Sequence, residues 1–160
     1  MKKSLILRKA NISDIIQIRF WRNNKDSRKN SFNKNYIDHN EHAKWFFDTF
    51  LNNKKLLFIG INKNNHKIGI TRLDKINKKL IEVSINVNPY FRNSGYGENL
   101  LCETIKKAFK KNENIKILSR ILKKNYKSVK LFKKIGFKIS AKKPGSFEYI
   151  LEKKNFKKNY

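Results

Sequence analysis

The sequence predicts one domain of mixed α/β class, because strand-like and helix-like patterns alternate along the chain without a repeat or a linker. Three consecutive strand patterns between residues 56 and 87 predict a meander, and helical patterns precede and follow it. With 160 residues, of which 39% are hydrophobic, the chain can bury one core, and a second independent core is not expected.

The first pattern is a short apolar run at residues 4–9, which predicts a strand. Ser13 is placed as the N-cap of a helix that carries Ile15, Ile16, Ile18 and Arg19 and ends near Trp21. The chain is therefore expected to begin with a strand and a helix.

A polar stretch at residues 22–37 is predicted to be an ordered loop, since linkers seldom hold isolated aromatics such as Phe32 and Tyr36. Asp38 and Glu41 have the spacing of a capping box. They predict a second helix that ends near residue 52.

The rest of the chain continues the alternation of strands and helices. Strands are predicted at 56–61, 68–73, 80–87, 115–122, 137–139 and 147–151. Helices are predicted at 97–111 and at 128–135, the second closed by Gly136, and Pro144 and Gly145 mark a turn. We expect a single domain over residues 1–153 and a frayed basic tail over 154–160.

No run approaches the ~20 apolar residues that span a membrane, and the apolar run after Met1 is too short for a signal peptide. The sequence is therefore interpreted as cytoplasmic. Cys102 is the only cysteine and lies in an apolar helical pattern, which favours a packed thiol over a nucleophile. Neither a disulfide within the chain nor a bound metal is expected.

The charge of the chain is unusual, with 39 basic and 12 acidic residues and a net charge of +27. Most of the excess is lysine, and asparagine and isoleucine are also abundant, which is the pattern of A/T-rich codons. No specific nucleic-acid partner is therefore expected. The positive field should still attract anionic ligands and repel polycations.

The strand at 80–87 runs through a loop with Gly95 and Gly97 directly into a helix. Such a turn presents unpaired backbone N–H groups and the positive end of the helix dipole, which suits a pyrophosphate. Glycine there leaves room for phosphate oxygens. Taken alone, this pattern is also common as plain turn chemistry.

Two motifs give the chain a resemblance to a known superfamily. Arg92-x-x-Gly95-x-Gly97 after Val87-Asn88-Pro89 resembles the coenzyme A signature of the GNAT acetyltransferases. The second GNAT motif is similar to Asn125-x-x-Ser128-x-x-Leu131-Phe132-x-x-x-Gly136-Phe137. The motifs stand in the family's order, and the resemblance covers nearly all of residues 5–151.

The resemblance implies an N-acetyltransferase that uses acetyl-coenzyme A as cosubstrate. It also implies the GNAT fold: a mixed, mostly antiparallel sheet of six to seven strands with a V-shaped split, flanked by about four helices. The cosubstrate would lie in the split. The residues assigned to it are Ile85, Asn86, Val87, Arg92, Asn93, Ser94, Gly95, Tyr96, Gly97, Glu98, Asn125, Ser128 and Phe132.

The chain departs from the family at the positions of the general acid and base. Many members carry a tyrosine acid where this chain has Phe132, and some carry a glutamate base where it has Arg120. Glu82 is the best remaining base and Tyr126 the best remaining acid. A solvent-facing Glu82 and a packing or stacking role for Tyr126 stay open, and water can serve both steps.

The acceptor amine should be bound by the segment before the meander. It contains Trp21-Arg22-Asn23, then Arg28, then Ile37-x-x-x-Glu41-His42-x-x-Trp45-Phe46. This pattern resembles the GNAT branch that acetylates UDP-linked aminosugars for pseudaminic and related nonulosonic acids, which modify flagellin and surface glycans. Arginine side chains can bind a phosphate through two parallel hydrogen bonds, and an aromatic ring can stack on a nucleotide or a sugar. The expected acceptor residues are Arg22, Asn23, Arg28, Phe32, His42 and Trp45. For Trp45 and His42, core and surface positions are the alternatives.

Other functions remain open at this point. The acceptor could be a protein N-terminus, a ribosomal protein or another small amine, whereas a polyamine is disfavoured by the positive field. A catalytically silent, basic nucleic-acid-binding module is a further alternative, but the chain has no recognised nucleic-acid motif. The oligomeric state, monomer or homodimer, is not determined by the sequence.

Overall fold

The computed structural model describes residues 4–157 and shows a seven-stranded sheet with helices on both faces. The strands are β1 (Leu5–Lys9), β2 (Lys55–Asn62), β3 (Lys67–Lys75), β4 (Leu80–Val87), β5 (Lys116–Leu122), β6 (Lys138–Lys143) and β7 (Ser146–Leu151). The helices are α1 (Ile15–Asn23), α2 (Lys25–Lys29), α3 (His39–Phe50), α4 (Tyr96–Lys111) and α5 (Tyr126–Ile135). The predicted mixed α/β class is confirmed.

The sheet has the strand order β1-β2-β3-β4-β5-β7-β6. All neighbours are antiparallel except β4 and β5, which run parallel and pair only through residues 80–82 and 116–118. On their outer sides the pairing continues, β4 with β3 as far as Val87 and β5 with β7 as far as Leu122. The sheet therefore splits into a V after residues 82 and 118, as predicted.

Each face of the sheet has its own apolar core. The front face packs under α1 and α3 around Trp21 and Phe46, both fully buried. The back face packs under α4 and α5, where Leu101 and Ile105 are fully buried. Burial of each such side chain contributes about 1.5–3 kcal/mol, so the two layers hold the arms of the V in place.

Asn11, and not Ser13 as predicted, caps the first helical segment. The Asn11 side chain accepts a hydrogen bond from Ser13 N (3.0 Å), and Asp14 Oδ2 accepts one from Asn11 N (2.9 Å). These reciprocal bonds form a capping box on a short 3₁₀ turn at Ile12–Asp14, which continues into α1. Asp38 is the N-cap of α3, as predicted, and accepts from Glu41 N at 2.8 Å.

Two further predictions about irregular segments were wrong. The loop at 22–37 contains the one-turn helix α2, which begins at its own N-cap, Asn24. The tail was predicted to fray from residue 154, yet Phe156 packs on Phe109 and Lys157 N donates to Ile135 O at 3.1 Å. Residues 158–160 lie outside the described residues. Among residues 4–157, no helix is long and apolar enough to cross a membrane.

Candidate active site

The loop between β4 and α4 lies at the open end of the V. The Asn88 side chain fixes the start of this loop. Its amide group donates to Lys67 O on β3 (2.9 Å) and accepts from Tyr90 N within the loop (3.2 Å). Asn93 and Gly95 both have positive φ, 57° and 83°, and Gly95 is the N-cap of α4. The loop ends at the N-terminus of α4, where the positive end of the helix dipole favours an anion.

The glycines of this region fit a closely bound pyrophosphate. A Cβ on Gly95 would have no atom within 4 Å, so the space beside it is open. A Cβ on Gly97 would lie 3.2 Å from Val87 Cγ2. Gly69, which the sequence analysis did not single out, is required because a Cβ there would lie 2.6 Å from Asn86 O. Its absent side chain allows β3 to pair closely with the end of β4.

The end of β4 and the start of α5 face each other across the open end of the V. Residues Ile85 to Val87 lie beyond the last β4–β5 pair, so their backbone groups on that side have no strand partner in β5. On the other arm, Asn125 caps α5 by accepting from Ser128 N at 3.3 Å. Lys127 Nζ donates to Asn93 Oδ1 (3.0 Å) and so joins α5 to the loop of β4.

Three predicted cofactor side chains have structural contacts of their own. Ser94 Oγ donates to Phe91 O. The Tyr96 hydroxyl accepts from Asn62 Nδ2 at 3.3 Å, and Glu98 pairs with Lys134 at 2.7 Å. Any contact of these residues with a phosphate is therefore expected from their backbone N–H groups.

Arg92 does not extend its side chain toward the gap of the V. Its guanidinium donates to Val87 O (3.2 Å), Asn24 Oδ1 (2.8 Å) and Ser27 Oγ (2.6 Å), so it binds the corner between α1 and α2. Burial lowers its pKa, and the charge of Asp26 partly offsets this. The sequence prediction assigned Arg92 to the cofactor, whereas in this structure its side chain holds the segment of α2.

Phe132 is also misplaced by the sequence prediction. Its ring is 2% exposed and makes an edge contact with Phe137 at 4.9 Å between ring centroids. It belongs to the core of the back face and has almost no surface to offer a ligand.

The two residues predicted to be catalytic have contrasting environments. Glu82 lies at the vertex of the V, where Arg120 Nε donates to Oε1 (3.0 Å) and Arg120 Nη2 to Oε2. The bond to Glu82 is the main cause of the raised pKa of Arg120. Both oxygens of the Glu82 carboxylate are thus engaged by a single guanidinium. Tyr126 is 77% exposed at the start of α5.

Two of the predicted acceptor residues have structural roles instead. His42 is 3% exposed, and its Nε2 lies 2.9 Å from Ile15 O, to which it donates. Burial lowers its pKa, which favours the neutral ring. Asn23 clamps the loop before α3, since its side chain bonds both Ile37 N (2.9 Å) and Ile37 O (2.7 Å). In this structure both side chains are engaged in internal hydrogen bonds.

Trp45 remains available on the front face, partly buried against the core of α1 and α3. Arg72 lies over its ring at 5.9 Å from the centroid and pairs with Asp74 at 2.9 Å. Asp74 is the cross-strand partner of Glu82. A row of paired charges thus runs from Trp45 to the vertex. Phe32 is 59% exposed in the loop after α2.

A cluster of basic side chains lies on the segment from α1 to α3 and on the loop after β5. The Arg22 Nη2 donates to Asn33 O (2.7 Å), whereas its buried Nη1 has no hydrogen-bond partner among residues 4–157. Burial lowers the pKa of Arg22, the charge of Glu41 partly opposes this, and the charge of Arg28 adds to the lowering. The pKa of Lys124 is lowered first by its side-chain contact with Lys34, then by desolvation and by the charges of Lys34 and Lys29.

We call this cluster the basic patch, and its members are Arg22, Arg28, Lys29, Lys34 and Lys124. The sequence analysis missed its three lysines, because lysine is too common in this chain for a single one to stand out. Contact between residues 34 and 124 depends on the tertiary fold. Mutual repulsion in such a cluster is relieved by an anion.

Among residues 4–157, no three His, Cys, Asp or Glu side chains come together as a metal-binding group.

Comparisons with known proteins agree with this arrangement. Residues 4–138 match the sequence profile of the family described as acetyltransferase (GNAT) domain. An uncharacterized protein of Methanocaldococcus jannaschii is 26% identical over 152 residues, which are 92% of this chain and 31% of that protein. The chain therefore spans less than a third of the length of this relative.

Solved structures share the fold at low sequence identity. A domain from M. jannaschii has a TM-score of 0.82 at 23% identity and covers 94% of this chain and 99% of its own. The spermidine N-acetyltransferase of Vibrio cholerae, in complex with CoA and spermine, has a TM-score of 0.84 at 20% identity. The match covers 94% of this chain and 96% of that protein. The N-acetyltransferase PseH of Campylobacter jejuni has a TM-score of 0.72 at 22% identity. The match covers 92% of this chain and 97% of that protein.

Proposed function

Because the chain belongs to the GNAT acetyltransferase family, we propose that it transfers the acetyl group of acetyl-coenzyme A to an amine carried by an anionic molecule. The best candidate is a UDP-linked 4-amino-4,6-dideoxy sugar. The single observation that carries this proposal is the basic patch, which lies beside the ends of both arms of the V, because Ser27 of α2 bonds Asn86 near the end of β4 and Lys124 follows the end of β5.

Acetyl-coenzyme A supplies the activated acetyl group, and the loop of residues 93–98 is suited to its pyrophosphate. The left-handed positions Asn93 and Gly95 and the positive end of the α4 dipole favour an anion in this loop. Backbone groups of Ile85 to Val87 are available for the pantetheine, because β5 does not pair with them. A backbone N–H at this edge can also polarise the acetyl carbonyl.

Proton transfer is the least specific part of the site. Glu82 is held by Arg120 and Tyr126 is mostly exposed, so neither has the contacts of a dedicated acid or base. We infer that water takes the proton from the amine and returns one to the leaving thiolate, with the Glu82–Arg120 pair orienting that water. Tyr126→Phe should accordingly change kcat by less than about twofold.

The acceptor side combines positive charge with an aromatic face. Arg28, Lys34 and Lys124 can contact phosphates, and Trp45 can stack against a base or a sugar ring. A polyamine would gain nothing from these lysines and would be repelled by a chain of charge +27. Both a spermidine N-acetyltransferase and PseH share the fold, so the charge pattern, and not the fold, separates the two candidates.

The proposal is tested by following coenzyme A release with three kinds of amine. We expect acetylation of UDP-linked 4-amino-4,6-dideoxy sugars and little activity on spermidine or short peptides. The double variant Lys34→Ala, Lys124→Ala should lower kcat/KM for the sugar by about tenfold, or about 1.4 kcal/mol, with unchanged affinity for acetyl-coenzyme A.

The matched control is Lys78→Ala combined with Lys79→Ala, two exposed lysines in the turn before β4, at the end of that strand away from the basic patch. It removes the same charge and should leave kcat/KM unchanged. Acetylation of spermidine or of a peptide alone, or full activity of the double variant on the sugar, would show that the anionic acceptor is the wrong choice.

A further inference from the structure

α2 is held in place by polar contacts alone. It is a single turn of five residues and contributes no buried side chain. Its central Ser27 has a hydroxyl that donates to Asn86 Oδ1 (3.1 Å) on β4 and accepts from Arg92 Nη2 (2.6 Å). Asn24, which caps α2 by accepting from Asp26 N (3.1 Å), also accepts from Arg92 Nη1 (2.8 Å).

Arg92 belongs at the same time to the loop that is suited to the pyrophosphate. Its Nε donates to the carbonyl of Val87, the last residue of β4, after which the loop begins. Only Asn93 and Ser94 separate it from Gly95, the N-cap of α4. Any ordering of this loop by a ligand is therefore passed to the Arg92 guanidinium, and from it to Asn24 and Ser27.

The turn that Arg92 holds carries part of the acceptor side. Arg28 and Lys29 of α2 are members of the basic patch, and Arg28 Nε donates to Asn23 O (3.2 Å) at the end of α1. A segment without apolar anchors has low local stability and responds to the loss of a few polar bonds. The position of these two side chains hence depends on Arg92.

We propose that Arg92 is a positioning residue that couples the two substrate sites: ordering of the coenzyme A loop orders α2 and with it the basic patch. The inference rests on the proposed function, since it assigns one substrate to each side. Coupling of this kind is reciprocal, so cofactor and acceptor should each tighten the binding of the other by the same factor.

The coupling is tested without knowledge of the acceptor by amide hydrogen exchange over residues 24–31, with free coenzyme A as the ligand. In the wild type, saturating coenzyme A should slow exchange in this segment by at least about fivefold. The double variant Asn24→Ser, Ser27→Ala keeps a capping side chain on α2 and removes the two side-chain hydrogen bonds of Arg92 to this segment, which leaves only the longer ion pair of Arg92 with Asp26 at 3.6 Å. In this variant coenzyme A should still raise the melting temperature but should no longer slow exchange at 24–31.

Two further variants separate positioning from general loosening of the fold. Ser27→Thr keeps the hydroxyl and should retain the protection. Ser140→Ala removes an exposed serine hydroxyl on β6 and should behave as the wild type. With the acceptor amine as substrate, the double variant should raise the KM of both substrates by the same several-fold factor, while the affinity of the free enzyme for coenzyme A should stay unchanged.

Each result has a defined meaning. Coenzyme A that stabilises the wild type without slowing exchange at 24–31, or protection that persists in the double variant, would overturn the coupling and leave the acetyltransferase function intact. Absence of any stabilisation by coenzyme A would overturn both. If coenzyme A slows exchange at 24–31 in the wild type but the wild type does not acetylate the aminosugar, only the choice of acceptor is overturned.

Discussion

Asp14 is a fully buried carboxylate whose replacement should give a large and pH-dependent loss of stability. Arg8 donates to both of its oxygens at 2.7 Å, and Lys67 lies at 2.8 Å. Burial alone would raise its pKa, but the hydrogen bonds from Arg8, Lys67 and Asn11 N outweigh burial and lower the pKa from 3.8 to about 2. These bonds join β1, β3 and the start of α1.

The magnitude follows from this shift. A change from 3.8 to about 2 corresponds to about 2.5 kcal/mol of unfolding free energy at pH 7, at 1.36 kcal/mol for each pKa unit. Because the folded-state pKa is the lower one, the stabilisation is complete above about pH 5 and is lost as the pH falls toward 2. About half of it should be gone at pH 3.

The variant Asp14→Asn keeps the size of the side chain and removes its charge. We expect a loss of about 2 to 4 kcal/mol in urea unfolding at pH 7, or about 5 to 10 °C in melting temperature, and a clearly smaller difference at pH 3. Asp48→Asn, at an exposed position of α3, is the control and should change stability by less than about 0.5 kcal/mol. Equal losses at both pH values, or no loss at pH 7, would refute the assignment of the stability to the ionised carboxylate.

The other predictions use the same unfolding measurements. Gly95→Glu should abolish the rise in melting temperature caused by acetyl-coenzyme A, whereas Gly145→Glu, at a left-handed position with equally open space, should impose similar strain and retain that rise. Gly136→Ala should destabilise the chain by at least about 1 kcal/mol, because φ is 115° and a Cβ would run into Asn155 O; a neutral effect would show that residues 152–157 do not pack there. The pKa of His42 is lowered in the folded state, so unfolding takes up a proton below about pH 6.5, and the free energy of unfolding should fall from pH 7 to pH 5. His42→Gln should remove this pH dependence without changing kcat/KM per folded molecule. Binding to nucleic acid should be weak, without sequence preference and lost at physiological salt; an electrophoretic titration at two salt concentrations that showed tight binding would contradict this.

The cofactor side of the fold was predictable because it depends on backbone geometry. Gly95 was singled out as a position where a side chain would obstruct a phosphate, and the structure shows it at positive φ with open space beside it. The strand pattern at 80–87 and the helical pattern from 97 also matched β4 and α4 within one residue at each shared boundary. Such features are local, so a sequence pattern specifies them directly.

The acceptor side was less predictable because its side chains are assigned by tertiary contacts. His42 and Asn23 are residue types that commonly bind substrates, but the packing of α1 on α3 uses them for internal bonds to Ile15 and Ile37. Arg92 fits the signature of a cofactor residue, and its direction is set by Asn24, 68 positions earlier in the chain. No pattern along the sequence reports such a distant partner.

Substitutions in the segment that holds the basic patch can change the preferred acceptor without changing the fold. The β4 arm of the V contacts it through Asn86 and Ser27, and the β5 arm contacts it through Lys124 and Lys34. α2 itself buries no side chain, so substitutions at its exposed positions should cost little stability. A substitution there alters the charge that an acceptor meets without disturbing either core. Specificity for the acceptor is therefore expected to vary along 25–35 more freely than the proposed site for acetyl-coenzyme A, which we assign to the backbone of β4 and the start of α4.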